Sequence, residues 1–441
     1  MTDKDPGQDL DPADSEAAPA GESAKGADHP MIPAATPGTD AAANSTLSGY
    51  FQLWVERLRA GELGALPIGL GLLIIIVTFG ILDDTFYSAR NFTNLLLQMV
   101  VFATIAIGVV FVLLIAEIDL SVAFVSAVGG VIMTLLLRPD SPGWPWWAAI
   151  GFALLITTAI GWAQGMVITK AGVPSFVVTL AGFLIWSGVV LILTTGATNI
   201  GTIRIQDDFV IGIANAFLSD TSGWILAGVV VLGFLGVNLW TVYSRGKRGL
   251  PTKPPSVIAL QTVGLAVVTF GAVYYANSDR GVPRGTVLLI VLLLVWSFVA
   301  SRLRFGRHVY AIGGNPEAAR RAGINVDRVR VLVFMISGLM AGVGGIIFAS
   351  RLRSVSTAQG GGNLLLLVIA SAVIGGTSLF GGQGRVISAL LGALVIASIQ
   401  NGMDLLGLNS GTKFVITGLV LLGAVLIDAW AKKRRTAVGV G

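Results

Sequence analysis

The sequence predicts an all-α protein that crosses a membrane many times. Only 12% of its 441 residues are charged and 54% are hydrophobic, whereas a soluble domain carries about a quarter charged residues. Apolar runs long enough to cross ~30 Å of hydrocarbon recur along the chain. Because lipid offers the backbone no hydrogen bonds, such runs must form helices.

Twelve apolar segments account for most of the chain. They lie near residues 65–82, 96–115, 118–137, 146–169, 175–195, 223–242, 256–276, 284–303, 329–350, 363–380, 386–402 and 412–430. Most reach the ~20 residues that a spanning helix needs. The segments at 363–380 and 386–402 are short and rich in glycine, which favours a broken or re-entrant helix at one of them. We therefore predict 10–12 spans.

The apolar run from residue 99 to residue 137 requires a turn. As one straight helix it would measure roughly 60 Å at ~1.5 Å per residue, about twice the thickness of the bilayer core. Glu117 and Asp119 are its only charged residues. We place the turn there.

Charge divides the chain into three parts. Residues 1–48 carry nine acidic residues and two lysines without apolar periodicity, which is typical of a disordered tail. A membrane domain at 49–435 and a short C-terminal tail at 436–441 follow. Basic residues of the membrane domain are concentrated in alternate loops, above all at 245–253, 302–330 and 432–435. Cytoplasmic loops carry such an excess, so both termini are predicted to be cytoplasmic and nucleic-acid binding is not expected.

The sequence lacks the residues that several kinds of functional site require. The chain has no cysteine and only two histidines, His29 and His308, so it offers no disulfide, thiolate or histidine-cluster metal site. It also lacks a Walker A pattern and therefore does not hydrolyse ATP by the P-loop route. The acidic pairs at 83–84 and 207–208 stand alone, without the second acidic cluster of a magnesium-dependent membrane enzyme. We expect no catalytic residue, cofactor or metal.

The polar loop at 302–330 contains the pattern of a short, capped helix. The residues that form the pattern are Asn315 as N-cap, Pro316 in the first turn, Glu317 at the positive end, Ala318 and Ala319 as helix formers, and Gly323 as the C-terminal stop. A helix that docks into a partner has these features. A solvated connector whose arginines only set topology has them equally, and the residues alone leave both interpretations open.

Four stretches in order resemble the ribose, xylose and galactose permease family of ABC importers. In the polar loop, Glu317, Ala318, Ala319 and Gly323 stand as in the coupling-loop motif of such permeases. The other three are Glu-Ile-Asp-Leu-Ser-Val at 117–122, Val-Pro-Ser-Phe at 173–176, and Ile-Gly-Gly-Thr-Ser-Leu-Phe-Gly-Gly-Gln-Gly-Arg at 374–385. The additional apolar segment at 256–276, with its basic lead-in, is most similar to the longer xylose-type members.

The resemblance implies a type II ABC importer-like permease in a bacterial cytoplasmic membrane. Two permease copies would form the path, and a separate ATPase would bind the coupling helix. An extracytoplasmic sugar-binding protein would deliver the monosaccharide, xylose or a similar sugar. Three departures from the family pattern are the missing Ile-x-Leu-Pro ending after Gly323, Ala123 in place of a glycine, and Gly-Gly-Gly-Asn at 360–363 where acidic residues are common.

Candidate path residues lie in two of these stretches and in the segment that follows the second. They are Glu117, Asp119, Ser121, Pro174, Ser175, Thr179 and Asn199. An ionisable residue in a membrane run indicates function by default, and Glu117 or Asp119 would line the path or pair with an arginine such as Arg385. Alternatively, Asp119 and Ser121 are capping acceptors of a surface turn. For the hydroxyl residues after Pro174, path lining and ordinary interhelical hydrogen bonding are equally supported.

A glycine-rich stretch and two rival functions complete the predictions. Gly375, Gly376, Gly381 and Gly382 indicate either a hinge or close packing around a tight turn. An ion-coupled secondary transporter would need acidic residues on several membrane helices. A membrane-embedded enzyme would need a catalytic cluster, which the sequence lacks.

Overall fold

The computed structural model describes residues 66–139, 143–198, 200–250 and 252–437. The predicted tail at 1–48 and the candidate path residue Asn199 lie outside these ranges, so their roles stay predictions. In the described ranges the chain is helical apart from two short strands. The elements are α1 Leu66–Leu82, α2 Ala89–Leu114, α3 Val122–Leu136, α4 Trp146–Ala171, α5 Ser175–Ala197, β1 Thr202–Arg204, α6 Asp208–Asn215, α7 Asp220–Gly246, α8 Pro255–Asn277, α9 Arg284–Arg302, α10 Arg304–Gly314, α11 Pro316–Arg321, α12 Val326–Leu352, β2 Ser354–Ser356, α13 Leu364–Ile374, α14 Ile387–Leu405 and α15 Ser410–Ala437.

All twelve predicted apolar segments are apolar helices. Eight helices in the described ranges are long and apolar enough to cross a membrane, and α1, α3, α13 and the apolar part of α15 are shorter. The chain is therefore a multi-pass membrane protein. At ~1.5 Å per residue the 11 residues of α13 cover only about 16 Å, too little to cross alone. Of the two glycine-rich segments expected to include a broken or re-entrant helix, 363–380 is the one whose helix is too short.

Helix α12 lies at the centre and packs against α2, α3 and α4. Small residues allow this approach: a Cβ on Gly108 of α2 would lie 2.9 Å from the Cα of Ser337 in α12. A Cβ on Gly161 of α4 would collide with the carbonyl of Phe334, and one on Gly338 would collide with the carbonyl of Thr157. Gly108, Gly161 and Gly338 therefore allow these helices to approach closely, as small residues do where helices pack in lipid.

The connecting segments gather at two opposite ends of the bundle. One end, the helix-break face, holds the segments 115–121, 172–174, 303–325 and 375–386. Their contacts include the hydrogen bond from the Gly382 amide to the Leu114 carbonyl, 2.9 Å long.

The other end, the strand face, holds the antiparallel pair β1–β2, in which Ile203 is opposite Val355. At this end the Leu218 amide donates to the Val282 carbonyl at 2.8 Å. The Thr93 hydroxyl donates to Asp279 at 3.3 Å. Burial by itself would raise the pKa of the Asp279 carboxyl. The nearby Arg280 and Arg90 outweigh this effect, so the pKa of Asp279 is lowered.

Candidate functional site

The long apolar run is interrupted where its two acidic residues occur. Helix α2 ends at Leu114 and α3 begins at Val122, with Glu117 and Asp119 in the seven-residue break between them. The predicted turn is therefore confirmed. Ala116 in this break has φ of 60°, a left-handed conformation that costs a residue with a Cβ about 1–2 kcal/mol. The break is a conformationally strained point of the fold.

Asp119 is the centre of a buried polar network. Its carboxylate accepts hydrogen bonds from the Ser121 amide at 3.0 Å, the Ser121 hydroxyl at 2.7 Å and the Ser337 hydroxyl at 2.7 Å. The Gln164 amide group donates to the Ser121 hydroxyl at 2.9 Å. Asp119 accepts from the amide of Ser121, the N-cap residue of α3, but its predicted place at the surface is wrong, because α12 and α4 cover the break and leave Asp119 only 5% exposed. The side chain of Ser121 accepts no capping hydrogen bond from the first turn of α3.

Glu117 pairs with Arg330, not with the Arg385 that the sequence suggested. Glu117 Oε1 lies 2.8 Å from Arg330 Nε, and both side chains are mostly buried. Arg330 lies in the second turn of α12, so it reaches the break directly. Its other acidic neighbour, Asp327, is exposed and lies 4.0 Å away. The ion pair therefore ties the helix break to the start of the central helix.

The beginning of α5 is bonded to the same break. Pro174 is the N-cap of α5 with an extended ψ of 138°, so it starts the helix and does not break it. The Ile118 amide donates to the Ser175 hydroxyl at 3.3 Å, and the Thr179 hydroxyl donates to the Ile118 carbonyl at 3.2 Å. Ser175 and Thr179 are buried.

Six of the seven predicted path residues thus form one cluster at the helix-break face. In this structure they make a packed polar junction, because their hydroxyl and carboxylate groups bond to one another and to neighbouring helices. Ser337, Gln164 and Arg330 complete the junction and were not predicted. Ser337 and Gln164 are polar residues inside apolar runs, which is the signal that would have identified them.

The short capped helix predicted in the polar loop is present as α11, Pro316–Arg321. Asn315 caps it, its side-chain oxygen accepting from the Ala318 amide at 2.9 Å. Gly323 has φ of 82° and follows the capping residue Ala322, so it stands one position beyond the predicted cap. This conformation is open to glycine at little cost.

The exposed face of α11 is narrower than predicted. Ala318 is exposed, but Ala319 is buried within the chain. Glu317 is 58% exposed and lies 3.1 Å from Arg320 and 3.6 Å from Arg321 of its own helix. Ala319 therefore fixes α11 to the bundle, whereas Ala318 and the Glu317 group are free to meet another chain.

A second loop helix, α10, precedes α11 and was not predicted. It buries Val309 and Ile312 and exposes Arg304 and Arg307. Its Tyr310 hydroxyl donates to the Gly384 carbonyl at 2.9 Å. Burial raises the pKa of Tyr310, against the opposing charge of Arg385, so the hydroxyl keeps the proton that it donates.

The glycine-rich stretch forms a tight junction with α10 and the end of α2. A Cβ on Gly313 would collide with the Leu114 carbonyl oxygen and would lie 2.5 Å from the Gly382 amide nitrogen. Gly381 and Gly382 have φ of 83° and 70°, and a Cβ on Gly381 would lie 2.8 Å from the Cβ of Ala116. These glycines serve close packing around a tight turn, one of the two interpretations of the sequence.

The other two glycines stand at the start of the same turn. A Cβ on Gly375 would collide with the Ser388 carbonyl, so Gly375 lets α13 and α14 approach. Gly376 has φ of 98° and reverses the chain after α13. Through Gly313 and Gly382, the loop carrying α11 thus contacts the helix break directly.

The described residues include no group of three or more His, Asp or Glu side chains placed to hold a metal ion.

Comparison with known proteins identifies the family of this chain. The sequence profile of the permease component of the branched-chain amino acid transport system matches residues 91–427, which include the break, the loop helices and the glycine stretch. The chain belongs to this permease family.

Sugar permeases are among the family members that the chain is similar to. The xylose transport system permease protein XylH of Haemophilus influenzae is 37% identical over 86% of this chain and 99% of its own length. XylH of Escherichia coli K12 is 38% identical over 80% of this chain and 88% of its own. The ribose import permease protein RbsC of the same strain is 30% identical over 81% and 92%. No solved structure matches.

Proposed function

We propose that this permease is the membrane subunit of an ATP-driven importer of xylose or a closely similar monosaccharide. A separate ATPase binds α11, and an extracytoplasmic binding protein delivers the sugar to a pair of permease copies. The substrate class rests on the two XylH relatives and the more distant ribose permease. The ATPase requirement rests on the absence of a P-loop and on the loop helices.

The contact of Gly313 with Leu114 and Gly382 is the observation that carries this proposal. It joins the exposed α10–α11 unit to the end of α2 without an intervening side chain. A force on Ala318 or Glu317 therefore reaches the break between α2 and α3 through backbone, which deforms less than side chains do. Packed elements of this kind shift between discrete arrangements.

The helix-break face is cytoplasmic in this proposal. It carries the arginines of the loop at 302–330 as well as Arg385, and the described chain enters and leaves the bundle at this face. Cytoplasmic loops are enriched in Lys and Arg. The permease then has twelve apolar helices and both of its termini on this side. ATPases bind where α11 is exposed, and sugar enters from the strand face.

Reconstitution tests the proposal. Proteoliposomes with the permease, its ATPase and the binding protein should accumulate labelled xylose when ATP is supplied, and omission of either partner should stop accumulation. Glu317→Arg should abolish ATP-dependent uptake without changing membrane insertion, whereas Arg328→Gln, an exposed residue beyond α11, should leave uptake unchanged. Accumulation by the permease alone on a proton or sodium gradient would instead identify an ion-coupled transporter.

A further inference from the structure

The hairpin of α7 and α8 ends in an exposed basic tip. Residues 221–278 contain no Asp or Glu, yet four basic residues lie close together where the two helices are joined. They are Arg245, Lys247, Arg248 and Lys253, and all four are exposed. An acid-free segment of this length leaves the positive charge of the tip without local compensation.

The tip also lacks compensation from the rest of the described chain. None of the four basic residues forms an ion pair with another described residue. The Lys247 ammonium lies 4.7 Å from the ring centroid of Tyr243, and the Lys253 ammonium donates to the Gln261 side chain at 3.4 Å. Both are neutral partners. The strongest partner for such a surface is an external anion.

Exposed aromatic rings stand directly beside the basic residues. Trp240 is 70% exposed and Tyr243 is 56% exposed, with 6.3 Å between their ring centroids. Both lie in the last two turns of α7, after a stretch of exposed apolar residues. Trp and Tyr at the end of an apolar helix mark the level of lipid headgroups, so the basic residues that follow stand at the height of the phosphates.

The hairpin is anchored to the bundle at its far end. There Phe92 of α2 contacts Tyr275 of α8 edge to face, with ring centroids 5.5 Å apart, and Val273 and Ala276 pack with Ala227. Along α7 only 6% of the most apolar stretch is buried within the chain. The side of α7 that faces away from α8 is therefore open to lipid down to the tip.

We propose that the tip of the α7–α8 hairpin binds the headgroups of anionic phospholipids. The aromatic rings set its depth, and the four cations draw acidic lipid from the surrounding leaflet. Each basic residue near an anionic surface raises the local preference for acidic lipid about fivefold. The result is a local shell enriched in acidic lipid beside the permease, held by this chain alone and without its transport partners.

A single reporter at the tip tests the proposal. Because the chain has no cysteine, Leu250→Cys places one fluorophore on the full-length protein. Nanodiscs of phosphatidylcholine and phosphatidylglycerol would contain a spin-labelled quencher on one lipid or the other at equal mole fraction. We expect labelled phosphatidylglycerol to quench at least about twofold more than labelled phosphatidylcholine, since one basic residue alone supplies a preference of about fivefold. High salt should remove the difference.

Matched controls show whether the lipid preference depends on the four basic residues of the tip. Ser278→Cys puts the same reporter at the opposite end of the hairpin, where Asp279 pairs with Arg90 and Arg280, and should detect a preference well below that at the tip. Arg245→Lys with Arg248→Lys should keep the preference, and Gln at all four basic positions should lose it. Equal quenching by both lipids, or a preference that survives the Gln variant, would overturn the proposal. So would displacement by inorganic phosphate beyond that by chloride at equal ionic strength, which would indicate a soluble anion as the ligand.

Discussion

The amide of Gly382 donates a 2.9 Å hydrogen bond to the carbonyl of Leu114, the last residue of α2. Gly313 of α10 fits against both groups because it has no side chain. Three segments that are far apart in the sequence thus meet through main-chain atoms. Each of them continues into a different helix, so in the proposed function this contact is where movement of the loop helices reaches the break in the apolar run.

Gly313→Ala should damage this junction. The added Cβ would collide with the Leu114 carbonyl, so either α10 or the glycine stretch must move. Overpacking of this kind costs about 1–3 kcal/mol. We expect a lower unfolding temperature in detergent, measured by intrinsic fluorescence, and a fall of ATP-dependent uptake by about tenfold, the factor that corresponds to roughly 1.4 kcal/mol.

Gly314→Ala is the matched control for that change. Gly314 is the neighbouring residue on the same helix, and a Cβ there would meet no atom within 4 Å. Alanine also favours the helix over glycine by about 1 kcal/mol. The variant should unfold at or slightly above the wild-type temperature and transport normally. Equal damage by both substitutions would refute the role of the junction.

Local physics made much of this site predictable from the sequence. Two charges inside a run too long for one helix marked the break at Glu117 and Asp119, because lipid admits such charges only where the helix is interrupted or covered. The capped helix α11 followed from Asn315, Pro316 and the glycine after it, since caps depend on neighbouring residues only. Both predictions concern contacts between residues close in the chain.

The partners of these residues were not predictable in the same way. Ser337 is 218 residues from Asp119, and Gln164 is 43 residues from Ser121. Which polar residue of one helix meets which residue of another depends on how the helices pack. For the same reason Arg385 was the wrong partner for Glu117: it lies beside Tyr310, whereas Arg330 faces the break.

Glu117→Gln should weaken the bond between the break and α12. The neutral side chain leaves the partly buried guanidinium of Arg330 without its near partner at 2.8 Å. Loss of one member of a fully buried pair costs 3–5 kcal/mol, so for this partly exposed pair we expect on the order of 2 kcal/mol. Chemical unfolding in detergent would measure the loss. Asp327→Asn removes the distant, exposed partner of the same arginine and should change stability by less than ~0.5 kcal/mol.

Substitutions of Asp119 separate a structural carboxylate from a proton carrier. Asn keeps an oxygen for the Ser121 amide and hydroxyl, and its NH₂ group can donate to the Ser337 hydroxyl, which then accepts. Asp119→Asn should therefore keep the fold and most of the uptake. Asp119→Ala leaves the buried Ser121 amide and Ser337 hydroxyl without their acceptor, at about 1–3 kcal/mol each, and should lower the yield of folded protein. If Asp119→Asn folds but abolishes all uptake, then Asp119 is a proton carrier and the ion-coupled alternative is favoured.

Loss of the cap on α11 should affect coupling more than overall stability. Asn315→Ala removes the acceptor for the Ala318 amide at 2.9 Å, and a lost N-cap costs its helix about 1 kcal/mol. Because α11 has only 6 residues and lies at the edge of the bundle, this cost disorders α11 locally. The unfolding temperature of the whole permease should stay within error of wild type. The ATPase activity of the reconstituted complex should then lose its stimulation by the sugar-loaded binding protein. Asn315→Asp keeps a capping oxygen of equal quality and should behave as wild type. If Asn315→Ala retains full stimulation, α11 does not have to be ordered when the ATPase binds.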